Sequence, residues 1–255
     1  MVGAGVAGLA VAATLADAGH RVTVLDRVPV TGGVLGYKAT LVRQLTQRAT
    51  DSGVTFRLGS TALRWRDERL LVAGPAGIAW TPSRRVVICT GYRPLTLAEM
   101  QVAGSRLSGV LPVTAAVHLL EAGVRLGRRI AVLGNGWWAR RLAAMAGSRT
   151  TVIGICSDPA PLDYATEAWP GWRPTRLRGT DRVTGVFVAR CGVTELVSCD
   201  AVVTALAVVP YRNVDGTLGT APSVAFVQPH AATAEHTVHA AIEAAGVIAS
   251  EWRAN

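Results

Sequence analysis

The sequence has little lysine, and its excess of positive charge is spread along the chain. Lys38 is the only lysine among 26 basic residues, which face 17 acidic ones, so the formal net charge is +9. The arginines occur in scattered pairs, such as Arg84 and Arg85, and not in a stripe or a tail, which argues against a nucleic-acid partner. A solvated basic face, or an acidic partner subunit, is the preferred interpretation of this charge.

Closely spaced cysteines are also missing. The four cysteines of the chain are Cys89, Cys156, Cys191 and Cys199. Without a CxxC pair, the chain encodes neither a redox dithiol nor a zinc knuckle, and we interpret the thiols as structural. His236 and His239 share a face of a predicted helix, but zinc needs three or four converging ligands, so no metal site is predicted.

Long apolar runs are absent as well. No stretch reaches the roughly 18 apolar residues of a membrane span, and the first residues lack the basic-then-apolar order of a signal peptide. We therefore expect a cytoplasmic protein with no membrane partner. Half of the 255 residues are hydrophobic, which is enough for one large domain or two modest ones.

A glycine-rich turn is present at the start of the chain, where Gly3, Gly5 and Gly8 form a GxGxxG pattern. In a dinucleotide-binding turn, the first glycine makes the tight turn, the second lets the backbone approach a pyrophosphate, and the third lets the helix pack closely. The helix N terminus then presents free N–H groups to the phosphates. Asp26 ends the next predicted strand, where an acid accepts hydrogen bonds from ribose hydroxyls.

A lone GxGxxG pattern is weak, but its surroundings support it. Residues 9–18 predict a helix that stops at Gly19, and residues 21–25 predict a buried strand that leads to Asp26. The strand that should precede the turn is reduced to Met1 and Val2, although such strands normally run for about five residues. Either the true start lies further upstream or the fold tolerates a stub.

The same unit of strand, glycine turn, helix and strand recurs later in the chain, with its second turn at Gly134 and Gly136. This repeat predicts an α/β protein with two dinucleotide-type folds. The strands of the second unit are predicted at 129–133 and 150–155 and its helix at 140–146. The other predicted elements are helices at 39–52, 114–122 and 233–252, a hairpin at 63–80 that turns at 74–77, and strands at 54–58, 86–90, 183–189, 194–197 and 201–206.

The second unit lacks the acid of the first. When the helix stops Gly19 and Gly147 are aligned, Asp26 falls opposite Gly154, so no carboxylate is predicted there for a ribose.

The second turn also carries two large side chains. Trp137 and Trp138 stand where the first turn has small residues, and indoles fill space that a pyrophosphate needs. Nicotinamide nucleotide binding at Gly134 and Gly136 is therefore less expected than a structural fold that binds nothing there. A Trp that stacks on an adenine, or one that lies at a subunit interface, stays open as an alternative.

These motifs, with Gly32-Gly33 and the run from Cys89 to Pro94 that reads Cys-Thr-Gly-Tyr-Arg-Pro, make the chain resemble the two-dinucleotide-binding flavoproteins of the pyridine nucleotide disulfide oxidoreductase superfamily. The resemblance spans nearly the whole chain. The short link after Gly33 and the stretch 109–114 are more narrowly similar to FAD subunits of dye-linked amine and amino-acid dehydrogenases, such as opine oxidase, proline dehydrogenase and hydrogen cyanide synthase. The lack of a CxxC pair excludes thioredoxin and glutathione reductase chemistry.

The resemblance implies two Rossmann-like domains, the second inserted into the first. The FAD-binding domain is expected at 1–105 plus 215–255, and the NAD(P)-binding-like domain at 106–214. It also implies FAD as the cofactor, with NAD(P)H as a second nucleotide. By this resemblance, the residues expected to hold FAD are Gly3, Gly5 and Gly8 at the pyrophosphate, Asp26 at the adenosine ribose, and Arg27, Gly33, Thr90 and Gly91 nearby.

One motif departs from this resemblance. The family ordinarily ends with a Gly-Asp pair whose acid contacts the ribityl or phosphate region of the flavin, and Pro229 and His230 stand in that place. Gln228 or His230 would supply the hydrogen bond instead. His230 is also the one candidate for an acid or base beside the flavin.

The sequence therefore predicts an FAD-dependent oxidoreductase without a redox disulfide. A small amine or amino-acid substrate, or reduced nicotinamide nucleotide, would give a hydride to the flavin, while the protein supplies position and electrostatics. A partner subunit would carry the substrate pocket. The alternative is a non-catalytic scaffold subunit with eroded cofactor sites, suggested by the short first strand, the Trp pair and the loss of the Gly-Asp acid.

Overall fold

The computed structural model describes residues 1–104, 107–206, 208–211, 223–229 and 233–254. The chain divides into a first unit, residues 1–92 and 210–255, and a second unit, residues 93–209. It crosses between them within β7 (Tyr92–Pro94) and returns within β16 (Val208–Pro210). The boundaries expected from the sequence, 105–106 and 214–215, lie outside the described residues.

The first unit is built on a parallel sheet whose central strand is a single residue. Val2 forms parallel bridges to Leu25 on one side and to Ile88 on the other. In spatial order the sheet contains β2 (Thr55–Leu58), β1 (Thr23–Asp26), Val2, β6 (Val86–Ile88) and β17 (Val224–Phe226).

Three helices cover this sheet: α1 (Val6–Asp17), α2 (Thr40–Asp51) and α5 (Ala234–Ala254). Helix α1 is rich in alanine and contacts both α2 and α5. Its alanines are small, so the neighbouring helices approach closely, and Leu9, Val11 and Leu15 are buried in the resulting core. Burial on several sides explains why α1 has little amphipathic pattern.

An antiparallel meander separates β2 from β6. It consists of β3 (Thr61–Arg66), β4 (Arg69–Gly74) and β5 (Gly77–Pro82). The single hairpin predicted at 63–80 is therefore incomplete, because a further turn joins β3 to β4. Asp67 and Glu68 make that turn with φ of 51° and 53°, and this left-handed backbone carries no glycine that would have marked it in the sequence.

The second unit repeats this plan. Its parallel sheet contains, in spatial order, β11 (Glu167–Pro170), β10 (Thr151–Cys156), β9 (Arg129–Leu133), β15 (Ala201–Thr204) and β8 (Val110–Pro112). Helices α3 (Val113–Glu121) and α4 (Trp137–Ala146) pack on it through a core that includes Val117, Ile130 and Leu142. The meander of this unit consists of β12 (Arg173–Gly179), β13 (Val183–Arg190) and β14 (Val193–Ser198).

In both units the first strand of the motif lies at the centre of the sheet, the next two lie on one side, and the strand that follows the meander lies on the other. This is the doubly wound arrangement of nucleotide-binding folds. The expected α/β fold with two Rossmann-like units is confirmed. Besides one strand of the first meander, the sequence missed six strands of the described residues: β7, β8, β11, β12, β16 and β17.

Candidate functional site

The first glycine turn leaves the sheet at the point where its strand order reverses. The Gly3 N–H donates to the Leu25 carbonyl at 2.8 Å, and the Val2 carbonyl accepts from the Cys89 N–H at 2.7 Å. The turn is thus fixed between the carboxyl ends of β1 and β6. In open α/β sheets this crevice is where ligands bind.

Two of the three glycines are required by the packing of the turn. Gly3 has φ of +108°, and a Cβ there would lie against the Cys89 carbonyl, closer than 3.0 Å. A Cβ on Gly8 would collide in the same way with the Gly3 carbonyl. Helix α1 therefore approaches its own turn more closely than any side chain at Gly8 permits.

Gly5 differs from the other two, because a Cβ there would meet no atom within 4 Å. Its hydrogen faces open space at the start of α1. That helix has no side-chain cap and no acidic residue in its first turn, so its first N–H groups and the positive end of its dipole face the same space. The residues present fit a pyrophosphate, which needs a bare backbone and unpaired N–H donors.

Asp26 holds this turn to the end of β1. Its Oδ2 accepts from the Ala4 N–H at 2.7 Å, and its Oδ1 accepts from the Val28 N–H at 2.9 Å. Each carboxylate oxygen has a further lone pair. The side chain therefore organises the turn and keeps acceptor capacity for the hydroxyls of a ribose.

The segment after β1 folds back over the turn. The Gly32 N–H donates to the Ala4 carbonyl at 2.8 Å, and a Cβ on Gly33 would lie 3.2 Å from the Gly5 Cα. A short 3₁₀ helix, Gly33–Leu35, begins there. The structure thus brings Gly33, which the sequence placed among the cofactor contacts, directly against Gly5.

Thr90 and Gly91 lie at the end of β6 with Gln228, which follows β17. The Thr90 hydroxyl donates to the Tyr211 carbonyl and accepts from the Gln228 amide at 2.9 Å. The same amide donates to the Gly91 carbonyl at 3.3 Å, and the Tyr92 hydroxyl donates to the Gln228 carbonyl. A neutral amide therefore joins the two strand ends near the place where the sequence resemblance predicts an acid. His230 lies outside the described residues.

Arg27 contacts a residue that the sequence did not single out. Its Nη1 donates to the Tyr211 hydroxyl at 2.6 Å, and its guanidinium carbon lies 4.7 Å from the centre of that ring. The two residues are 184 positions apart. A local sequence pattern cannot indicate a contact between residues so far apart in the chain, so the sequence did not predict Tyr211.

The second turn has the same backbone bonds as the first. Gly134 has φ of +132°, and a Cβ there would lie 2.7 Å from the Ala205 carbonyl oxygen. Its N–H donates to the Ile155 carbonyl at 2.8 Å, as the Gly3 N–H does to Leu25. The turn of the second unit is therefore braced between its own two neighbouring strands.

This register corrects the alignment of the two units. Because Ile155 takes the place of Leu25, the residue opposite Asp26 is Cys156, and the predicted match with Gly154 is wrong by two positions. The cause is strand length, since β10 has 6 residues and β1 has 4. Cys156 is buried, so the second unit presents no carboxylate at this point.

The two indoles next to the second turn are held by other contacts. The Arg141 guanidinium, on the same helix α4, lies 5.4 Å from the ring centre of Trp137. Trp138 packs against the core of the second unit. Apart from its chain neighbours, a Cβ on Gly136 would meet nothing within 4 Å. The Gly136 N–H, however, is already taken by the Asn135 side-chain oxygen at 2.8 Å.

Tyr164 holds the second turn through a hydrogen bond to its backbone. Its hydroxyl donates to the Gly134 carbonyl at 2.6 Å, and burial raises the pKa of this phenol well above its usual value. The phenol therefore stays protonated as a donor at any physiological pH. Its loop packs against Gly154, where a Cβ would lie 2.9 Å from the Ala165 Cβ.

The four cysteines are all described, and none is in a disulfide. Burial raises the pKa of Cys89 and that of Cys199 to about 12, so these thiols stay protonated and unreactive. In the described ranges, no three His, Cys, Asp or Glu side chains come together as metal ligands. Nor does any helix in this part of the chain have the length and apolar character needed to cross a membrane.

The sequence pattern of the family described as pyridine nucleotide-disulphide oxidoreductase matches residues 1–169. Among solved structures, the thioredoxin reductase of T. acidophilum is 18% identical with a TM-score of 0.70, over 98% of this chain and 96% of that one. The thioredoxin reductase of Lactococcus lactis is 16% identical with a TM-score of 0.74, over 98% and 96%. A water-forming NADH oxidase from Lactobacillus brevis, bound to NADH, is 16% identical with a TM-score of 0.70, over 96% and 68%. No curated protein sequence matches significantly.

Proposed function

Because the chain belongs to the pyridine nucleotide-disulphide oxidoreductase family, we propose that its first unit binds FAD at the turn of Gly3, Gly5 and Gly8, and that its second unit receives reduced nicotinamide nucleotide. The expected class, an FAD-dependent oxidoreductase, is confirmed at the level of the family. The observation that carries the assignment of FAD to this turn is the open space at Gly5, bounded by an uncapped helix N terminus and by Asp26.

Bound FAD supplies the hydride acceptor, which no side chain can provide. The chain's own residues bind and orient. The bare backbone at Gly5 and the N terminus of α1 offset the charge of the pyrophosphate. Asp26 fixes the turn through Ala4 and offers its remaining lone pairs to the ribose. Thr90 and Gln228 hold the ends of β6 and β17 in one arrangement beside the turn.

The second unit is the proposed site of the nucleotide that reduces the flavin. In its favour are the turn at Gly134 and Gly136, whose first glycine makes the same backbone hydrogen bond as Gly3, and the exposed start of α4. Because Cys156 stands in place of the ribose acid, this site has one recognition group fewer than the first. We expect NAD(P)H to bind it more weakly than FAD binds the first unit.

The substrate proposal rests on the sequence resemblance alone. We propose that the chain is a relative of the FAD subunits of dye-linked amine and amino-acid dehydrogenases, in which a small amine or amino acid gives its hydride to the flavin. A partner subunit would then complete the substrate pocket. Anaerobic mixing of the holoprotein with NADH, with NADPH and with a panel of amino acids, followed at the flavin absorbance, separates the two kinds of donor.

The assignment of FAD to the first turn is tested by Gly5→Ala. The added methyl group enters space that the structure leaves empty, and Gly5 has φ of −75°, which alanine adopts without strain. The apoprotein should therefore keep its Tm, while its FAD affinity falls by roughly 10- to 100-fold, as a steric cost of about 1–3 kcal/mol implies. Titration followed by flavin fluorescence measures this, and an unchanged affinity would place FAD elsewhere.

The flavin absorbance of the purified protein decides between the enzyme and the scaffold alternative. The support for the scaffold is the Asn135 side chain on the Gly136 N–H and the Pro229 and His230 pair, which stands where the resemblance expects Gly and Asp. If the purified chain takes up no flavin when FAD is added, and its Tm does not rise, the enzyme assignment fails for the isolated chain.

A further inference from the structure

The contact between Arg27 and Tyr211 joins two parts of the first unit that lie on opposite sides of the glycine turn. Arg27 directly follows Asp26 at the end of β1. The Tyr211 N–H donates to the Gly91 carbonyl at 2.7 Å, and its carbonyl accepts from the Thr90 hydroxyl, so its backbone is fixed at the end of β6. Val2 lies between β1 and β6 in the sheet. The turn that follows Val2 therefore leaves the sheet between these two anchors.

The contact uses two interactions at once. A hydrogen bond of 2.6 Å joins Nη1 to the phenol oxygen, and the guanidinium also lies over the ring at 4.7 Å. Arg27 is exposed and Tyr211 is half-buried, so each interaction contributes modestly by itself. The phenol does not neutralise the guanidinium, which therefore keeps its positive charge next to Asp26 at the end of β1.

We propose that Arg27 and Tyr211 form a clasp that closes over the pyrophosphate region of bound FAD and slows its release. This inference rests on the proposed function. The clasp lies at the carboxyl edge of the sheet, and it combines a cation suited to a pyrophosphate with a tie that spans the crevice. Tyr211 is then a cofactor-retaining residue that lies outside the glycine motif.

The experiment measures the release of FAD from the holoprotein after dilution, followed by the rise of flavin fluorescence. Tyr211→Ala and Arg27→Ala should each release FAD about tenfold faster, because each removes both interactions of the clasp. Tyr211→Phe keeps the ring and loses the hydrogen bond, and should release FAD about threefold faster. The double variant Arg27→Ala/Tyr211→Ala should match Arg27→Ala, because the Tyr211 ring has no clasp partner once the guanidinium is removed.

The matched control is Arg85→Ala. It removes another contact between an arginine and an aromatic ring, in which the Arg85 guanidinium lies 5.0 Å from the ring centre of Trp252. Arg85 precedes β6 and therefore lies at the opposite edge of the sheet from the turn. This variant should release FAD at the wild-type rate.

The outcomes separate the clasp from the proposed function. If the wild type holds FAD and the clasp variants release it no faster, the clasp is refuted and the FAD site stands. If the wild type holds no FAD, both fall. Should Tyr211→Ala fail to fold, Tyr211→Phe and Arg27→Lys decide the matter, since both keep the size of the side chain, and wild-type release from both would refute the clasp.

Discussion

The two glycine turns of this chain share the hydrogen bond of their first glycine and differ at their second, because Gly5 has φ of −75° and Gly136 has φ of +115°. Gly3 and Gly134 each donate to the neighbouring strand, and each approaches the carbonyl of the strand beyond, at Cys89 and at Ala205. The packing of the sheet, and not a ligand, requires this close approach and hence a glycine at each position. A GxG pair therefore identifies the fold, and the residues that surround it decide what the fold can bind.

Two positions besides the second glycine separate the turns. Gly8 lets α1 approach the Gly3 carbonyl, whereas the second unit has Ala139 at the equivalent place, with a side chain that is fully buried. Asp26 organises the first turn through two backbone N–H groups, whereas Cys156 offers no acceptor of comparable strength. The first turn is therefore the better prepared of the two for a dinucleotide.

The largest expected effect comes from making the first turn like the second. Gly8→Ala places a methyl group on the Gly3 carbonyl, where neither backbone can yield. We expect a loss of about 3 kcal/mol in the free energy of unfolding and no retained FAD. Urea denaturation followed by circular dichroism measures the loss.

The control for Gly8→Ala is Gly246→Ala in α5. A Cβ there would meet no atom outside its own helix within 4 Å, so the substitution should stabilise the protein by about 0.5–1 kcal/mol. Wild-type stability of Gly8→Ala would mean that the first turn has as much room as the second.

A smaller effect is expected from Asp26→Ala, which removes the acid that distinguishes the first unit. The Ala4 and Val28 N–H groups lose their acceptor, at a cost of about 1–3 kcal/mol. FAD affinity should fall about tenfold, because the turn loosens and the ribose loses a partner. Calorimetric titration with FAD measures the change, with Asp51→Ala at the end of α2 as the control. An equal loss of FAD affinity in both variants would show that Asp26 does not hold the ribose or the turn for FAD.

A still smaller effect concerns the sheet of the second unit. Arg129 binds Glu167 through two hydrogen bonds of 2.7 and 2.8 Å, and they lower the pKa of that carboxyl. A lowered pKa gives stability above the unfolded value, near pH 4.3, that is lost as the pH falls through the folded value. Glu167→Gln should cost about 0.5–1 kcal/mol at pH 7, discounted for exposure, and less at pH 3.

The control for this pair is Glu195→Gln on the exposed strand β14, which should leave stability unchanged at both pH values. Urea denaturation at pH 7 and at pH 3 provides the four measurements. A loss for Glu167→Gln that persists undiminished at pH 3 would refute the ion pair as its cause.

The smallest expected effect concerns which of the four cysteines react with an alkylating reagent. Cys89 lies beneath the first turn and Cys156 next to the second, and both are buried, as is Cys199, whereas Cys191 is exposed. Native protein at pH 8 should therefore take up one iodoacetamide, and Cys191→Ser should take up none. Intact mass spectrometry counts the adducts. A second adduct in the native wild type would contradict the burial of the three other thiols.

The sequence predicted what depends on local pattern. The turn at Gly3, the helix after it and the strand that ends at Asp26 follow from glycine spacing and from apolar runs, and the structure contains all three. The turn at Asp67 and Glu68 was missed because no glycine marks it. The residue of the second unit that is equivalent to Asp26 was misplaced, because the length of a strand is set by its neighbours. Tyr211 was missed because its contact with Arg27 joins distant parts of the chain.

The insertion of one unit into the other has a consequence for how this protein is made. Strand β17 pairs with β6, and α5 packs on α1, so the first unit needs the segments on both sides of the second unit. The second unit is continuous from 93 to 209 and has all its strands before the ribosome reaches β17. We expect it to fold first during synthesis, while the crevice proposed to bind FAD forms only when α5 has emerged.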